Sequence, residues 1–306
     1  LALDPETEEQ IRSEAVLLWQ SAGERIRDEL FTILKTDRAS PVIVRMTEDG
    51  ILGKILPELS ALAGCRQGGY HQHDVLGHTL QSLAHMESIL DDPAPWLPLR
   101  GQEARSAEAC RDPVLLKFSV LLHDIGKPAA RRTLNGRTHF RGHSATGHRM
   151  AEAVFDRLRL SNRQRRFVGF MVRHHIRPLQ LFVAHQHGNL TRKGRTRFFL
   201  RCGGWTPALL LIAMADMAGK RTPLDERFAD FARFTDKMLD TYFAGFRPIS
   251  DAPPLLTGKD LIDHLGLSPS PVFKRILDTV EAERLEGRIE SRLQAMDRAR
   301  QMARAW

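Results

Sequence analysis

The apolar residues of this chain recur at helical spacing, and period-two alternation is nearly absent. An i, i+4, i+7, i+8 stripe runs through residues 26–34, and a second stripe runs through 74–90. Residues 114–123 (VLLKFSVLLH) are apolar almost throughout, as in a buried helix. The pattern therefore predicts an all-α fold, with further helices over 145–158, 163–176, 206–217, 257–265 and 270–284.

Breaks in this pattern suggest where the chain divides. Gly64–Gly69 (GCRQGG) and Pro248–Pro254 interrupt the helical periodicity, which predicts three regions, 1–66, 67–247 and 248–306. Residues 91–113 are rich in proline and charge and are predicted to form a loop. The polar, glycine-punctuated stretch 185–204 is predicted to be an exposed connection or the start of a helix.

Composition excludes several classes of protein. No stretch approaches about 18 uninterrupted apolar residues, so we expect no membrane span. The three cysteines, Cys65, Cys110 and Cys202, are far apart and odd in number. They match neither a disulfide framework nor a cysteine zinc site, which favours the reducing cytoplasm.

Charge is concentrated in one block. Residues 131–201 hold 17 Lys and Arg against only Glu152 and Asp156, whereas residues 1–60 hold 7 basic against 12 acidic side chains. The whole chain carries a net charge of +8. A basic block of this kind predicts a surface for a polyanion, and a solvated basic face is the alternative.

Two carboxylates fall on apolar helix faces. Asp216 lies four residues after Ile212 and seven after Leu209, and Asp124 lies on the stripe of the buried helix. An ionised carboxylate facing a core costs several kcal/mol unless a cation or hydrogen-bond donors offset it. Either could have a simpler partner, because Asp124 could cap the turn at Gly126 and Asp216 could pair with an arginine.

Histidines could complete a metal site with these carboxylates. The candidate ligands are carried by several predicted helices and are His78, His123, Asp124, His143, His175 and Asp216. Imidazole nitrogens with carboxylate oxygens suit Zn, Mn, Fe, Co or Ni, and Mg is possible with water in its shell. Each histidine alone is more often an ordinary polar residue, and helical periodicity does not decide between His174 and His175.

The string LLHDIGKP at 121–128 resembles the signature of the HD superfamily of metal-dependent phosphohydrolases. The order of that signature is met here by the six candidate ligands, and the family string favours His175 over His174. The resemblance implies a divalent metal of uncertain identity (Mg, Mn, Ni, Co or Zn). It also implies catalytic roles for Asp124 and for Lys127, which would lie near the substrate phosphate.

Further strings narrow the resemblance. Residues 70–80 (YHQHDVLGHTL), 140–147 (FRGHSATG), 172–178 (VRHHIRP) and 214–220 (MADMAGK) together resemble the HD region of bacterial class II tRNA nucleotidyltransferases and poly(A) polymerases. The segment 25–34 resembles the family's neck helix. Under this resemblance, 1–66 is an RNA-binding neck, 67–247 an HD-type helical bundle and 248–306 a helical body or tail.

The nucleotidyltransferase head of that family has no counterpart here. Its Gly-rich loop and Asp-x-Asp pair are absent, so we expect the C-terminal portion of a longer enzyme, with ATP or CTP and Mg bound only in the head. This portion would bind RNA and hydrolyse 2′,3′-cyclic phosphates or 2′-nucleotides. The alternatives are a free-standing HD phosphohydrolase on soluble nucleotides, or a structural RNA-binding module with an inactive site.

The basic block would then contact RNA, such as a tRNA 3′ end. Phe198 and Phe199 could stack on bases, although core packing is the stronger expectation for this pair. A stripe along the RNA backbone would give mostly sequence-independent, salt-sensitive affinity. The residues predicted to form it are Arg131, Arg132, Arg137, Arg163, Arg165, Arg166, Arg192, Lys193, Arg195 and Arg197.

Overall fold

The structure, a computed structural model, describes residues 4–96 and 108–304 and confirms the all-α prediction. The only strands among these residues are β1 (Arg132–Leu134) and β2 (Arg137–His139), which pair antiparallel with Arg132 opposite His139. Short 3-10 segments cover Ala15–Gln20 and Gly203–Trp205, and a π-helical turn covers Thr241–Phe246.

The described helices, numbered here in chain order, are α1 (Pro5–Glu14), α2 (Gly23–Lys35), α3 (Ser40–Glu48), α4 (Ile51–Ile55), α5 (Pro57–Ser60), α6 (Val75–Asp91), α7 (Pro113–Leu122), α8 (Lys127–Ala130), α9 (His143–Arg157), α10 (Asn162–His174), α11 (Arg177–Gln186), α12 (Arg192–Cys202), α13 (Thr206–Ala218), α14 (Glu226–Asp240), α15 (Arg247–Asp251), α16 (Gly258–Leu265), α17 (Pro271–Leu285) and α18 (Arg292–Arg304).

Side-chain caps start several of these helices. Asp74 accepts a hydrogen bond from the backbone N–H of Gly77 at 2.8 Å at the start of α6, and Thr191 accepts one from Gly194 at 3.0 Å at the start of α12. Ser161 begins α10 with a reciprocal capping box. Such caps satisfy backbone donors that have no partner within the helix.

Several details differ from the sequence prediction. Helix α9 begins at His143, whereas the predicted helix began at residue 145, so His143 belongs to the first turn. Helices α11 and α14 and the β-hairpin were not predicted. The stretch 185–204 is only partly exposed, because α12 buries Thr196, Phe198, Phe199 and Cys202. Part of the predicted loop over 91–113, residues 97–107, lies outside the described residues.

The chain divides into two compact units. The first comprises Leu1–Phe182 with Pro207–Asp236, and the second comprises Val183–Thr206 with Lys237–Trp306. These units are defined by proximity in space, whereas the three predicted regions are continuous stretches of sequence. The boundaries 66/67 and 247/248 therefore stay a prediction.

The core of the first unit is built around α7. Every residue of α7 from Leu115 to Leu122 is buried, and α7 packs against α2, α6 and α10. In α13, residues 207–218 are buried as well. A helix that is buried on all sides has no face in contact with solvent. Polar side chains at its ends therefore point into the interior.

The second unit has its own apolar cores. Helices α16, α17 and α18 bury Leu261, Ile276, Val280 and Ala295 together with neighbouring apolar side chains. Elsewhere in this unit the ring of Phe199 packs against other aromatic rings, which confirms core packing rather than base stacking for that residue.

One helical run, Arg192–Ala218, is long and apolar enough to cross a membrane by length and composition alone. Its most apolar window is 72% buried within the protein. Burial of this degree is typical of a core helix of a globular protein.

Candidate metal centre

Five helices of the first unit bring the six predicted ligands to one place. His78 lies in α6, His123 and Asp124 directly follow α7, His143 opens α9, His175 directly follows α10, and Asp216 lies in α13. All six are at most 9% exposed. Side chains that are more than 130 positions apart in sequence thus share one buried pocket.

The ligands form two groups of three. In the first group, His78 Nε2 lies 3.2 Å from Asp216 Oδ1 and 3.3 Å from His123 Nε2. In the second group, His143 Nε2 lies 3.0 Å from His175 Nε2, and Asp124 completes the set. Within each group, one ligand atom of every residue lies within 4.8 Å of the others.

Asp124 joins the two groups through its two carboxylate oxygens. Its Oδ2 lies 3.1 Å from His123 Nε2 and 3.5 Å from His78 Nε2. Its Oδ1 lies 3.4 Å from His143 Nε2 and 3.6 Å from His175 Nε2. One carboxylate therefore faces two pairs of imidazoles, as a bridging ligand between two cations would.

The backbone fixes which nitrogen of each ring faces inward. The Nδ1 atoms of His123, His143 and His175 lie 2.6, 2.8 and 2.8 Å from the carbonyl oxygens of Val120, Phe140 and Val172. A carbonyl oxygen can only accept a hydrogen bond. In each neutral ring the N–H group is therefore at Nδ1 and donates to that oxygen. The Nε2 lone pairs then point toward the carboxylate of Asp124.

Lone pairs converge in this arrangement around Asp124, where Lys127 Nζ, 2.5 Å from Oδ2, is the nearest charged group. Imidazole Nε2 atoms that both carry lone pairs repel each other at 3.0 Å, and neither buried oxygen of Asp124 accepts a well-aligned hydrogen bond. A buried carboxylate without such partners costs several kcal/mol. One or two divalent cations fit this set of donors, and the ring nitrogens bonded to carbonyls have the orientation usual for ligands.

The site perturbs the pKa values of its own residues. Burial lowers the pKa of His143 to about 4 and also lowers the pKa of His78. Burial opposes the charge on Asp124 and Asp216, but His123 beside the first and Lys220 beside the second hold both carboxyl pKa values well below their usual range. Two anions and two neutral imidazoles therefore persist at neutral pH, which favours cation binding.

A cavity of about 700 Å³ opens onto the ligands. Lys127 lines it, lies 2.5 Å from Asp124 Oδ2 and donates a hydrogen bond to Gln67 Oε1. Lys220, which is buried and also lines the cavity, lies 3.3 Å from Asp216 Oδ1. Two lysine ammonium groups thus face the same cavity, where they could donate hydrogen bonds to a phosphate.

Most residues that line the cavity were not predicted from sequence, and three of them carry polar groups of interest. Gln67, His71 and Lys220 all line the cavity, and the buried Nε2 of His71 has no hydrogen-bond partner. A possible signal for Lys220 was its position four residues after Asp216, one turn along the same helical face. No local signal marks Gln67, because it reaches Lys127 across 60 positions.

The structure also shows which basic residues predicted to contact RNA are exposed and which are paired with an acidic side chain. Arg163 pairs with Asp112 at 3.0 Å, and Arg165 pairs with Asp156, so the charge of both is partly neutralised. Arg131, Arg132 and Arg166 of the first unit and Arg192, Lys193 and Arg197 of the second are exposed. Arg195 is half-buried, and the side chain of Arg137 lies outside the described part of the structure.

Comparison with known proteins finds matches to two parts of the chain. A profile described as a probable RNA and SrmB-binding site of polymerase A matches residues 1–62, and the HD domain profile matches residues 75–201. The HD match includes four of the five helices that carry candidate ligands, and Asp216 lies beyond its end.

Curated proteins that are similar to this chain over most of its length include tRNA nucleotidyltransferases. The A-adding tRNA nucleotidyltransferase of Deinococcus radiodurans is 29% identical over 295 residues, covering 94% of this chain and 61% of the relative. The CC-adding tRNA nucleotidyltransferase of Thermus thermophilus is 31% identical over 276 residues, covering 90% and 55%. The bifunctional uridylyltransferase/uridylyl-removing enzyme of Azospirillum brasilense is 31% identical over 153 residues, covering 49% and 15%.

The chain spans between half and two thirds of the length of the two tRNA nucleotidyltransferases that it matches. The resemblance seen in the HD and neck strings is therefore confirmed by profile and by whole-chain similarity. This chain thus carries an HD domain and a region that matches the RNA-binding site of polymerase A, and over nine tenths of its length it is similar to tRNA nucleotidyltransferases.

Proposed function

We propose that this chain is the RNA-binding and HD portion of an RNA-processing enzyme, and that its HD site hydrolyses terminal phosphoesters. The substrates we assign to it are 2′,3′-cyclic phosphates and 2′-nucleotides. The observation that carries this proposal is the pair of His/Asp groups, with Asp124 facing histidines of both, beside a cavity with two lysines. One relative is named a bifunctional uridylyltransferase/uridylyl-removing enzyme, and this name supports removal of a nucleotidyl group as the class of reaction.

The ligands would be His78, His123 and Asp216 for one cation and His143, His175 and Asp124 for another, with Asp124 shared. Divalent Mg, Mn, Ni, Co and Zn are the candidates, because mixed imidazole and carboxylate donors accept all of them. When bound, the cation would hold the substrate phosphate and lower the pKa of a water molecule. Whether one ion or two bind is measurable from the metal content.

The protein's own groups would organise the reaction. Lys127 and Lys220 would offset the negative charge of the phosphate, and burial of the ligands strengthens this electrostatic interaction. Water oxygen forms a bond to phosphorus, one ribose oxygen–phosphorus bond breaks, and a proton passes to the departing ribose oxygen. A 2′,3′-cyclic phosphate is thereby opened to a phosphate monoester.

Hydrolysis of 2′,3′-cyclic AMP with added Ni, Co, Mn or Mg tests this proposal. We expect metal-dependent turnover, and we expect Asp124→Ala to lower it by at least about a hundredfold, because that carboxylate faces both groups. His187→Ala is the matched control, since His187 is exposed and outside the site. Absence of turnover with every metal would leave a structural RNA-binding body with an inactive site.

Elemental analysis shows whether the site binds one metal ion or two. If two cations bind, Asp216→Ala removes a ligand of one group only, so its metal content should fall to about half of the wild-type value, whereas Asp124→Ala should lose nearly all metal. Equal metal content in both variants and the wild type would contradict the ligand assignment.

We also assign RNA as the partner of the exposed basic residues. Arg131, Arg166, Arg192, Lys193 and Arg197 carry this proposal better than Arg163 and Arg165, whose charge is already paired. Lysine and arginine contacts to phosphates release counterions, so RNA affinity should fall steeply with salt. The free cysteines and the cytoplasmic setting of RNA processing support a cytoplasmic location.

On this proposal the chain by itself adds no nucleotides. The Gly-rich loop and Asp-x-Asp pair that would bind ATP or CTP with Mg are absent from its sequence. Incubation with tRNA and labelled ATP or CTP should give no extension, and any incorporation would contradict this assignment.

A further inference from the structure

The hairpin β1–β2 connects two helices whose first residues belong to the metal centre or its cavity. It lies between α8, which starts with the cavity residue Lys127, and α9, which starts with His143. Asn135 and Gly136 form its two-residue turn with φ values of 50° and 70°, the conformation that joins paired strands tightly. Because both ends of the segment are held by site residues, the hairpin has a fixed position beside the cavity.

The second strand of the hairpin forms part of the cavity wall. Thr138, His139, Phe140 and Arg141 line the same cavity as Asp124. The carbonyl of Phe140 also accepts the hydrogen bond that orients His143. The hairpin is thus continuous with the wall that surrounds the reacting phosphate.

The outer side of this segment is basic and exposed. Residues 131–151 contain no Asp or Glu. Arg131, Arg132 and Arg141 are exposed, and among the residues that the structure describes none of the three forms an ion pair. Leu134, at the tip, is 64% exposed. Exposed arginines without acidic partners, on a segment that adjoins the cavity, can bind the backbone phosphates of a nucleic acid strand.

We propose that this hairpin guides the 3′ end of single-stranded RNA into the cavity, so that the site acts on RNA ends rather than on free nucleotides. This inference rests on the proposed function of the site. A mononucleotide is held by the cavity alone, whereas a strand extends past Arg141 to Arg131 and Arg132. Only the RNA strand therefore gains binding affinity from the exposed arginines.

Two substrates distinguish these possibilities. Hydrolysis of a short oligoribonucleotide ending in a 2′,3′-cyclic phosphate is compared with hydrolysis of 2′,3′-cyclic AMP under the same metal. We expect the double variant R131A/R132A to lower the ratio of the two kcat/KM values by about tenfold or more. R131K/R132K should retain most of the wild-type ratio, since it keeps the charges.

Arg149→Ala is the matched control, because Arg149 is an exposed arginine that lies in α9, outside the hairpin. Thermal unfolding and metal content verify that each variant is folded. A ratio that is unchanged in R131A/R132A, or that falls equally in Arg149→Ala, would overturn the proposal.

A measurement of RNA binding tests this inference independently of the proposed hydrolysis. If wild-type protein hydrolyses neither substrate, the proposed function fails, and fluorescence anisotropy with a 3′-phosphorylated oligoribonucleotide tests the hairpin alone. Loss of affinity of about tenfold in R131A/R132A would support RNA contact by the hairpin. Equal affinity in variant and wild type would overturn it.

Discussion

Asp124 is the residue on which the site depends most. Its two oxygens face four imidazoles and Lys127, and its carboxylate is 1% exposed. Without metal, the positive charge beside it comes from Lys127 and from protonation of His123. Burial disfavours a charged His123, but the carboxylate of Asp124 outweighs burial and raises the pKa of His123.

Metal binding should therefore release a proton from His123. His143 is neutral above its pKa of about 4 and contributes none. Below the raised pKa of His123 a proton competes with the cation, so metal affinity should increase as the pH rises through that pKa. Titration calorimetry near pH 7 in two buffers of different ionisation enthalpy should show release of up to about one proton. Heats that do not depend on the buffer would contradict the prediction.

At the scale of elements, glycine allows α9 to approach the HD motif. A Cβ on Gly126 would lie 2.2 Å from the carbonyl oxygen of His143 and 2.4 Å from the backbone nitrogen of Gly147. Both neighbours are backbone atoms, so no side-chain rotation relieves the overlap. The distance between Asp124 and His143 therefore depends on this glycine.

Gly126→Ala should destabilise the protein by about 3 kcal/mol and lower its metal content, since the two helical segments must move apart. Gly204→Ala is the control, because no atom lies within 4 Å of its added Cβ and its φ is not positive. Thermal unfolding and elemental analysis measure both effects. A Gly126→Ala variant as stable as Gly204→Ala would show that α9 can shift freely.

A buried ion pair joins α6 and α7 to the start of α3. Glu87 lies 3.0 Å from Lys117 Nζ and accepts hydrogen bonds from the backbone N–H groups of Ala39 and Ser40 at 2.7 and 3.0 Å. Lys117 in turn donates to the carbonyl oxygen of Thr36 at 2.6 Å. This network holds the N-terminal helices against the bundle.

Lys117→Met should cost about 3–5 kcal/mol, because it leaves the Glu87 charge buried with fewer partners. The double variant Glu87→Gln/Lys117→Met should cost less than the sum of the single changes. Arg233→Met is the control, since its pair with Asp230 is exposed and should contribute less than about 1 kcal/mol. Urea unfolding gives each free energy, and additive costs would contradict coupling.

At the scale of the whole molecule, the metal centre lies entirely within the first unit. A ligand that binds only the folded form stabilises it by about 2.7 kcal/mol when its concentration is a hundred times Kd. Metal should therefore slow amide hydrogen exchange in α6, α7, α9, α10 and α13. Helices α16–α18 of the second unit have their own core and should change little. Equal protection of both units would contradict this prediction.

Helix type and approximate bounds could be predicted wherever apolar periodicity was strong. The predicted helix over 74–90 is α6 (Val75–Asp91), and 206–217 is α13 (Thr206–Ala218). Helix α14 was missed although Phe231, Phe234 and Met238 recur at helical spacing. The strands were missed because three residues are too few to show alternation, and Asn135-Gly136 was the available signal.

The sequence by itself determined the chemistry of the candidate centre: which residue types converge, and that Asp124 and Asp216 needed partners because they fall on buried helix faces. Only the tertiary structure showed that His175 rather than His174 faces Asp124, since one helical step separates them and periodicity allows both. It also decided that Lys220 and Gln67 line the cavity and that Asp112 neutralises Arg163. These contacts join distant positions, and chain packing, not local propensity, sets such distances.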